Sequence, residues 1–130
     1  MSITSLQSDV LSVLDNLYEA WKANDADAFV QSYTSDATVS MAGSYAADRE
    51  QIRQHMSTAF AGPLKGSRGV DDPQSIRFVT DDVCVINSLA GIVMAGEATL
   101  PSERERLATW VLVRTDDGWK VSAYSNCPAH

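Results

Sequence analysis

The chain has 130 residues, of which 45% are hydrophobic and 21% charged, with a formal net charge of -7. That length holds one core of ordinary size rather than two, so the expectation is a single domain over residues 1–130, and the composition excludes a disordered or membrane-spanning class. The acidic balance gives no phosphate-tracking surface, so nucleic acid is not an expected partner.

The opening Met1-Ser2-Ile3-Thr4-Ser5 has neither a basic n-region nor an apolar h-region, and no apolar run approaches the ~20 residues that span a bilayer. A cytoplasmic protein without membrane contact is the expectation. Cys84 and Cys127 lie far apart and outside any zinc-ligand spacing, so both read as reduced thiols and no metal is expected.

Leu6, Val10, Val13, Leu14, Leu17 and Trp21 recur at the spacing of one face of an amphipathic helix, which Asn24 would close. Asp25 would cap a second helix running to about Tyr33. Ala37 to Met41 reads as a short strand, followed by a Gly43-Ser44-Tyr45 turn and an irregular approach to Asp48. Asp48 and Gln51 then resemble a capping box for a third helix, with Ile52, Met56 and Phe60 as its apolar stripe and Gly62-Pro63 as its stop.

From there the period changes to two. Ser75 to Val79, Val83 to Met94, Leu107 to Arg114 and Trp119 to Asn126 predict four strands in a meander, with Gly91 and Gly96 as places for a bend. The Asp71-Asp72, Asp81-Asp82 and Asp116-Asp117 pairs read as turn chemistry, because Asp side chains bond their own backbone in turns. This order predicts an α+β fold with a strongly curved, mainly antiparallel sheet and about three helices around a pocket.

Two stretches carry a resemblance. Leu17 through Phe29, followed by Tyr33-Thr34-Ser35-Asp36-Ala37-Thr38, resembles the opening of the SnoaL-like, nuclear-transport-factor-like cone-fold superfamily. Gly91, Gly96-Glu97, Leu100-Pro101, Glu103-Arg104, Thr109 through Arg114, Gly118-Trp119 and Ala123-Tyr124-Ser125-Asn126 resemble its SgcJ/EcaC subfamily. The resemblance implies a cone with a cavity at its open end, often a homodimer through the sheet, and for some members a place in enediyne polyketide biosynthesis.

Ketosteroid isomerase, a catalytic relative of that fold, uses an Asp base with a Tyr and a protonated Asp in its oxyanion hole. Aligned on Asp36-Ala37-Thr38-Val39, the base position falls at Met41 and the acid near Thr109. The Tyr position falls near Leu17, with Tyr18 one residue and ~100° away around the helix. That machinery is therefore not expected here.

His55, the internal histidine, is the candidate for proton transfer, against a surface or packing role. Asn126 could bond a ligand carbonyl or tie the chain end. Tyr18, Trp21 and Tyr45 supply rings for a flat apolar ligand or for the core. Strand parity with the resemblance puts Thr109 toward the cavity and Trp110 and Tyr124 on the outer face, as homodimer contacts. Arg104 and Arg106 could meet an anion or simply be solvated.

The resulting expectation is a binder of a hydrophobic polyketide or polyene, acting as an accessory to a polyketide synthase and needing no cofactor. A cyclase or isomerase using a pocket acid or base is the alternative, and a structural dimer module without a ligand is the third. Motifs for nucleotide binding, serine hydrolysis and zinc proteolysis are absent from the sequence.

Overall fold

In the computed structural model, residues 3–130 are described, the side chain of Ile3 excepted; Met1 and Ser2, part of the opening read above, lie outside the described residues. The first helix, α1 (Ile3–Lys22), buries the stripe its spacing predicts, with Val10, Leu14 and Leu17 all but inaccessible. It ends where Asn24 adopts φ 53 and its amide donates to the Trp21 carbonyl at 2.9 Å. Asn tolerates this left-handed turn better than most residues.

The Asp25 carboxylate accepts from the Ala28 N–H at 3.0 Å and starts α2 (Ala26–Val30). This helix is shorter than predicted, because Tyr33 already belongs to β1 (Tyr33–Met41). Thr34, Thr38 and Val39 explain the early start, since β-branched side chains favour the extended chain. The expected irregular stretch after Gly43 is instead a strand, β2 (Ser44–Ala46), paired antiparallel with β1.

Asp48 caps α3 (Arg49–Ala61) by accepting from the Gln51 N–H at 2.9 Å. Gln51 reaches back to the Ala47 N–H rather than to that of Asp48, so the box is displaced by one residue. Ile52 and Phe60 are buried and Met56 packs beside them.

Strand β3 (Arg68–Thr80) begins seven residues before the expected Ser75 and carries Asp71, Asp72 and Pro73 within it. The Asp71-Asp72 pair is therefore not a turn. Pro73 is accommodated because β3 is an edge strand and its register with β4 shifts between Pro73 and Ser75. The pairing of β3 with β4 is irregular there and again between Phe78 and Thr80, whereas at Gly91 it runs on without a shift.

Strands β4 (Val83–Val93), β5 (Arg106–Thr115) and β6 (Gly118–Pro128) follow, with a 3-10 turn at Ser102–Arg104. The sheet order is β2-β1-β6-β5-β4-β3, antiparallel except for the β1–β6 pair. A curved sheet with helices on its concave face is the cone predicted from the sequence. Among the described residues, no helix is long and apolar enough to cross a membrane.

Parity sorts the two faces. Cys84, Ile86, Ser88 and Ala90 of β4, with Ala108, Trp110 and Leu112 of β5, are buried against the helices. Val83, Val85, Asn87, Val111 and Val113 alternate with them and face outward, only partly covered or exposed.

Candidate functional site: a buried carboxylate under three aromatic rings

Helix α1 presents Tyr18 toward the start of β3, where Gly69 has no side chain to obstruct the ring. The Tyr18 hydroxyl donates to Asp71 Oδ2 at 3.1 Å. On β5, Trp110 projects from the same face, and its indole Nε1–H donates to the same oxygen at 2.9 Å. One carboxylate oxygen thus receives two donors from two different elements.

The other oxygen receives none. Asp71 Oδ1 and the nearby Ser88 Oγ are both buried without a hydrogen-bond partner. The Ser88 hydroxyl is close enough to favour the ionised carboxyl, but its oxygen and Asp71 Oδ1 do not meet in hydrogen-bond geometry. Leaving such groups unpaired costs about 1–3 kcal/mol each, so the two side by side are a costly feature of the fold.

Three rings form the wall behind this carboxylate. Tyr18 meets Trp110 edge-on at 6.2 Å between centroids, and Trp110 lies 4.2 Å from Tyr124. The Tyr124 hydroxyl accepts from Asn126 Nδ2 at 2.8 Å, and the same amide approaches Met41 Sδ at 3.4 Å.

Burial sets the protonation states. It raises the Asp71 carboxyl above its ordinary value, against the opposing pull of Ser88, Trp110 and Tyr18. Burial and then the charge of Asp71 push the Tyr18 phenol well up. The Tyr124 phenol is also raised by burial, with Asn126 acting against it. At neutral pH both phenols stay protonated, and Asp71 is a carboxyl made a better proton acceptor than one in water.

Some sequence-predicted residues meet here and others do not. Tyr18 and Asn126 do. Trp110 and Tyr124 do as well: Trp110 is 2% exposed within a single chain, which corrects its assignment to the dimer interface, and the half-buried Tyr124 packs against it. Thr109 is on the opposite face, where its hydroxyl accepts from Asn87 Nδ2 at 3.2 Å. The parity was inverted because the bulky, buried residues of β5 are the even-numbered ones.

Trp21 is a packing residue. Its indole donates to Ser67 Oγ at 3.0 Å and its ring meets Phe29 and Phe60 at 5.8 and 5.6 Å. Tyr45 is 60% exposed on β2, away from the concave face. His55 is exposed on α3, whose buried side is formed by Ile52 and Phe60. Arg104 is engaged with Glu97 at 3.0 Å.

Asp71 and Ser88 escaped the sequence reading. The signal available was indirect: Gly69, Asp71 and Pro73 at period two, facing the small Ser88 and Ala90, which leave room for something else. Two hollows of about 600 and 550 Å³ lie elsewhere, one bordered by Val13, Gln31 and Trp119, the other by Asp25, Arg53 and Ser57. Neither includes a residue of the Asp71 cluster, so the expected roomy apolar cavity is not either of these. Among the described residues, no group of three His, Cys, Asp or Glu side chains is placed to hold a metal ion.

Comparison with known proteins agrees with the geometry. Three solved structures share the fold: a domain of unknown function with a cystatin-like fold from Nostoc punctiforme (19% identity, TM-score 0.88, 99% of this chain and 80% of that one), an NTF-2 like protein of unknown function from Shewanella oneidensis (14%, 0.78, 92% and 97%), and a protein of unknown function from Mycobacterium tuberculosis (15%, 0.80, 100% and 78%). No curated protein matches the sequence. The SnoaL-like domain family matches residues 10–127, and the chain, with its cone of curved sheet and three helices, belongs to that family.

Proposed function

We propose that the chain binds a small, largely apolar, oxygen-bearing molecule at the concave face, with Asp71 as its polar anchor and proton-transfer group. The observation that carries this reading is the unpartnered Asp71 Oδ1 beside the unpartnered Ser88 Oγ, next to a wall of Tyr18, Trp110 and Tyr124. An enolisable carbonyl or a hydroxyl would complete both groups. Asp71, raised by burial, would take or return the proton while Tyr18 and Trp110 hold its other oxygen.

The ligand class we favour is a hydrophobic polyketide or polyene, on the resemblance of the Thr109–Arg114 and Ala123–Asn126 stretches to the SgcJ/EcaC subfamily. In that setting the protein would serve an enediyne-type pathway in the cytoplasm, beside a polyketide synthase. A homodimer through the outer sheet face would cover Val85, Val111 and Leu107, the last 50% exposed. If chemistry is performed, it is of cyclase or isomerase type, with Asp71 in place of the His55 expected from the sequence.

Native mass spectrometry of protein from cells with and without the synthase tests the binding. A retained polyketide mass supports it; an empty chain in both preparations counts against it. Asp71→Asn then separates chemistry from binding: loss of turnover by ~10²-fold or more with the ligand still retained supports proton transfer, and unchanged turnover removes Asp71 from it.

A further inference from the structure

Met41 closes β1, and its partner across the β1–β2 pair is Ser44, a small exposed residue that leaves one side of the thioether open. On its other side, the parallel pairing of Val39 with Tyr124 and of Ser40 with Ser125 brings Met41 beside Asn126 of β6. The Met41 side chain is 40% exposed, whereas Met56 packs on the core and Met94 is half-buried. Among the described residues, Met41 is therefore the thioether that a dissolved oxidant meets first.

This sulfur is linked to the interior. Asn126 Nδ2 lies 3.4 Å from Met41 Sδ and also donates to the Tyr124 hydroxyl at 2.8 Å. The Tyr124 ring lies 4.2 Å from that of Trp110, whose indole donates to Asp71 at 2.9 Å. An unbroken line of contacts thus runs from an exposed sulfur, through one amide and two rings, to the Asp71 carboxylate. Asn126 is its first link, and it is also the contact that opposes the effect of burial on the Tyr124 phenol.

We propose that Met41 is a peroxide-sensitive modification site, whose oxidation to the sulfoxide draws Asn126 away from Tyr124 and so resets the Tyr124–Trp110 ring pair. In that step a sulfur lone pair forms the S–O bond while the O–O bond of the peroxide breaks. The thioether is oxidised by two electrons, and the peroxide is reduced to water. A thioether is a weak acceptor, but the sulfoxide is polar and carries its oxygen one bond beyond the sulfur. An amide resting at 3.4 Å must move to meet that oxygen, and the same nitrogen holds Tyr124. Methionine sulfoxide reductases reverse the oxidation, which makes the change a switch rather than damage.

Hydrogen peroxide added to the Cys127→Ser protein, in which the exposed thiol no longer competes, tests this. Peptide mass spectrometry should find one oxygen gained at Met41 before any at Met56 or Met94. The NMR resonances of the Asn126 amide and the Trp110 indole should shift in step with that gain. The indole of Trp119, which packs on Phe78 instead, should stay where it is. Met41→Gln, which places an amide oxygen at the same position, should reproduce the Trp110 shift without peroxide. Met41→Leu, which keeps the volume and removes the sulfur, should abolish the response to peroxide. Oxidation of Met56 or Met94 ahead of Met41 overturns the proposal, and so does full oxidation of Met41 with the Trp110 resonance unmoved.

Discussion

Gly69 lies under the ring of Tyr18 so closely that a Cβ added there would overlap Cδ1 and Cε1 of the tyrosine. The glycine is needed for space rather than for its backbone, since Gly69 is not among the residues with positive φ. It is the absence of a side chain on β3 that lets the phenol reach Asp71.

Gly69→Ala should therefore displace Tyr18 and break its bond to Asp71. We expect a loss of about 1–3 kcal/mol, the usual range for overpacking, measured by urea unfolding. In a Tyr18→Ala background the same glycine change should cost far less, because the clash is gone. Additive costs in the double variant would mean that the two residues do not meet.

Trp110→Phe keeps most of the ring packing and deletes the indole donor to Asp71 Oδ2. The variant should lose about 1–3 kcal/mol, and the Asp71 carboxyl should titrate higher still, because a contact that favours the ionised form is gone. Carboxyl-detected NMR reads the shift. An unchanged Asp71 midpoint would show that the indole and carboxylate are not bonded in solution.

The raised Asp71 pKa fixes the sign of a pH effect. The folded state holds this proton more tightly than the unfolded chain does, whose value is near 3.8. Between that value and the higher folded one, the native state carries more protons, so the contribution of this group to stability falls as pH rises. Asp71→Asn has no such titration. Relative to the parent protein it should gain stability as pH rises above 3.8, until the pH passes the raised folded value, followed by thermal unfolding. A gain that runs the other way would mean that the carboxylate is stabilised rather than penalised by its surroundings.

The fold was legible because each local signal agreed with the next. The α1 stripe, the Asp25 and Asp48 caps and the period-two runs of β4, β5 and β6 point to the same architecture, as expected of a sequence with consistent levels. The site was less legible, and for two physical reasons. Asp71 sits beside Asp72 and Pro73, a grouping that favours turns, and only the edge position of β3 and its register shift allow a strand there. On β5, alternation identified two faces without saying which is inside; that is decided by the helices, which cover Trp110 and Leu112 and leave Thr109 and Val111 outside.

The cysteines give a prediction that depends on the same alternation. Cys84 is buried on the concave face and burial raises its thiol, whereas Cys127 is exposed on β6. A thiol reagent should modify Cys127 in the native protein and reach Cys84 only on unfolding, because reactivity follows both access and thiolate population. Two equally fast thiols would place Cys84 at the surface.

The loop between β4 and β5 is closed by a different carboxylate, and its titration should differ in sign from that of Asp71. Glu97 accepts from the Met94 N–H at 2.8 Å and from Arg104, which also donates to the Ile92 carbonyl at 2.9 Å. The Arg104 bond, followed by the Met94 N–H, holds the Glu97 carboxyl down at about 2. Because the folded value is depressed, the contribution of this pair is fully present above the ordinary value of 4.5 and is lost as pH falls through about 2. Leu100 packs where any side chain at Gly91 would collide with it, so the loop is held at two points, one polar and one apolar. Glu97→Gln should therefore speed amide exchange from Met94 to Arg104 at neutral pH without altering exchange near Asp71. In the parent protein, the Glu97 carboxyl resonance should titrate with a midpoint of about 2; a midpoint near 4.5 would mean that the Glu97–Arg104 contact does not persist in solution.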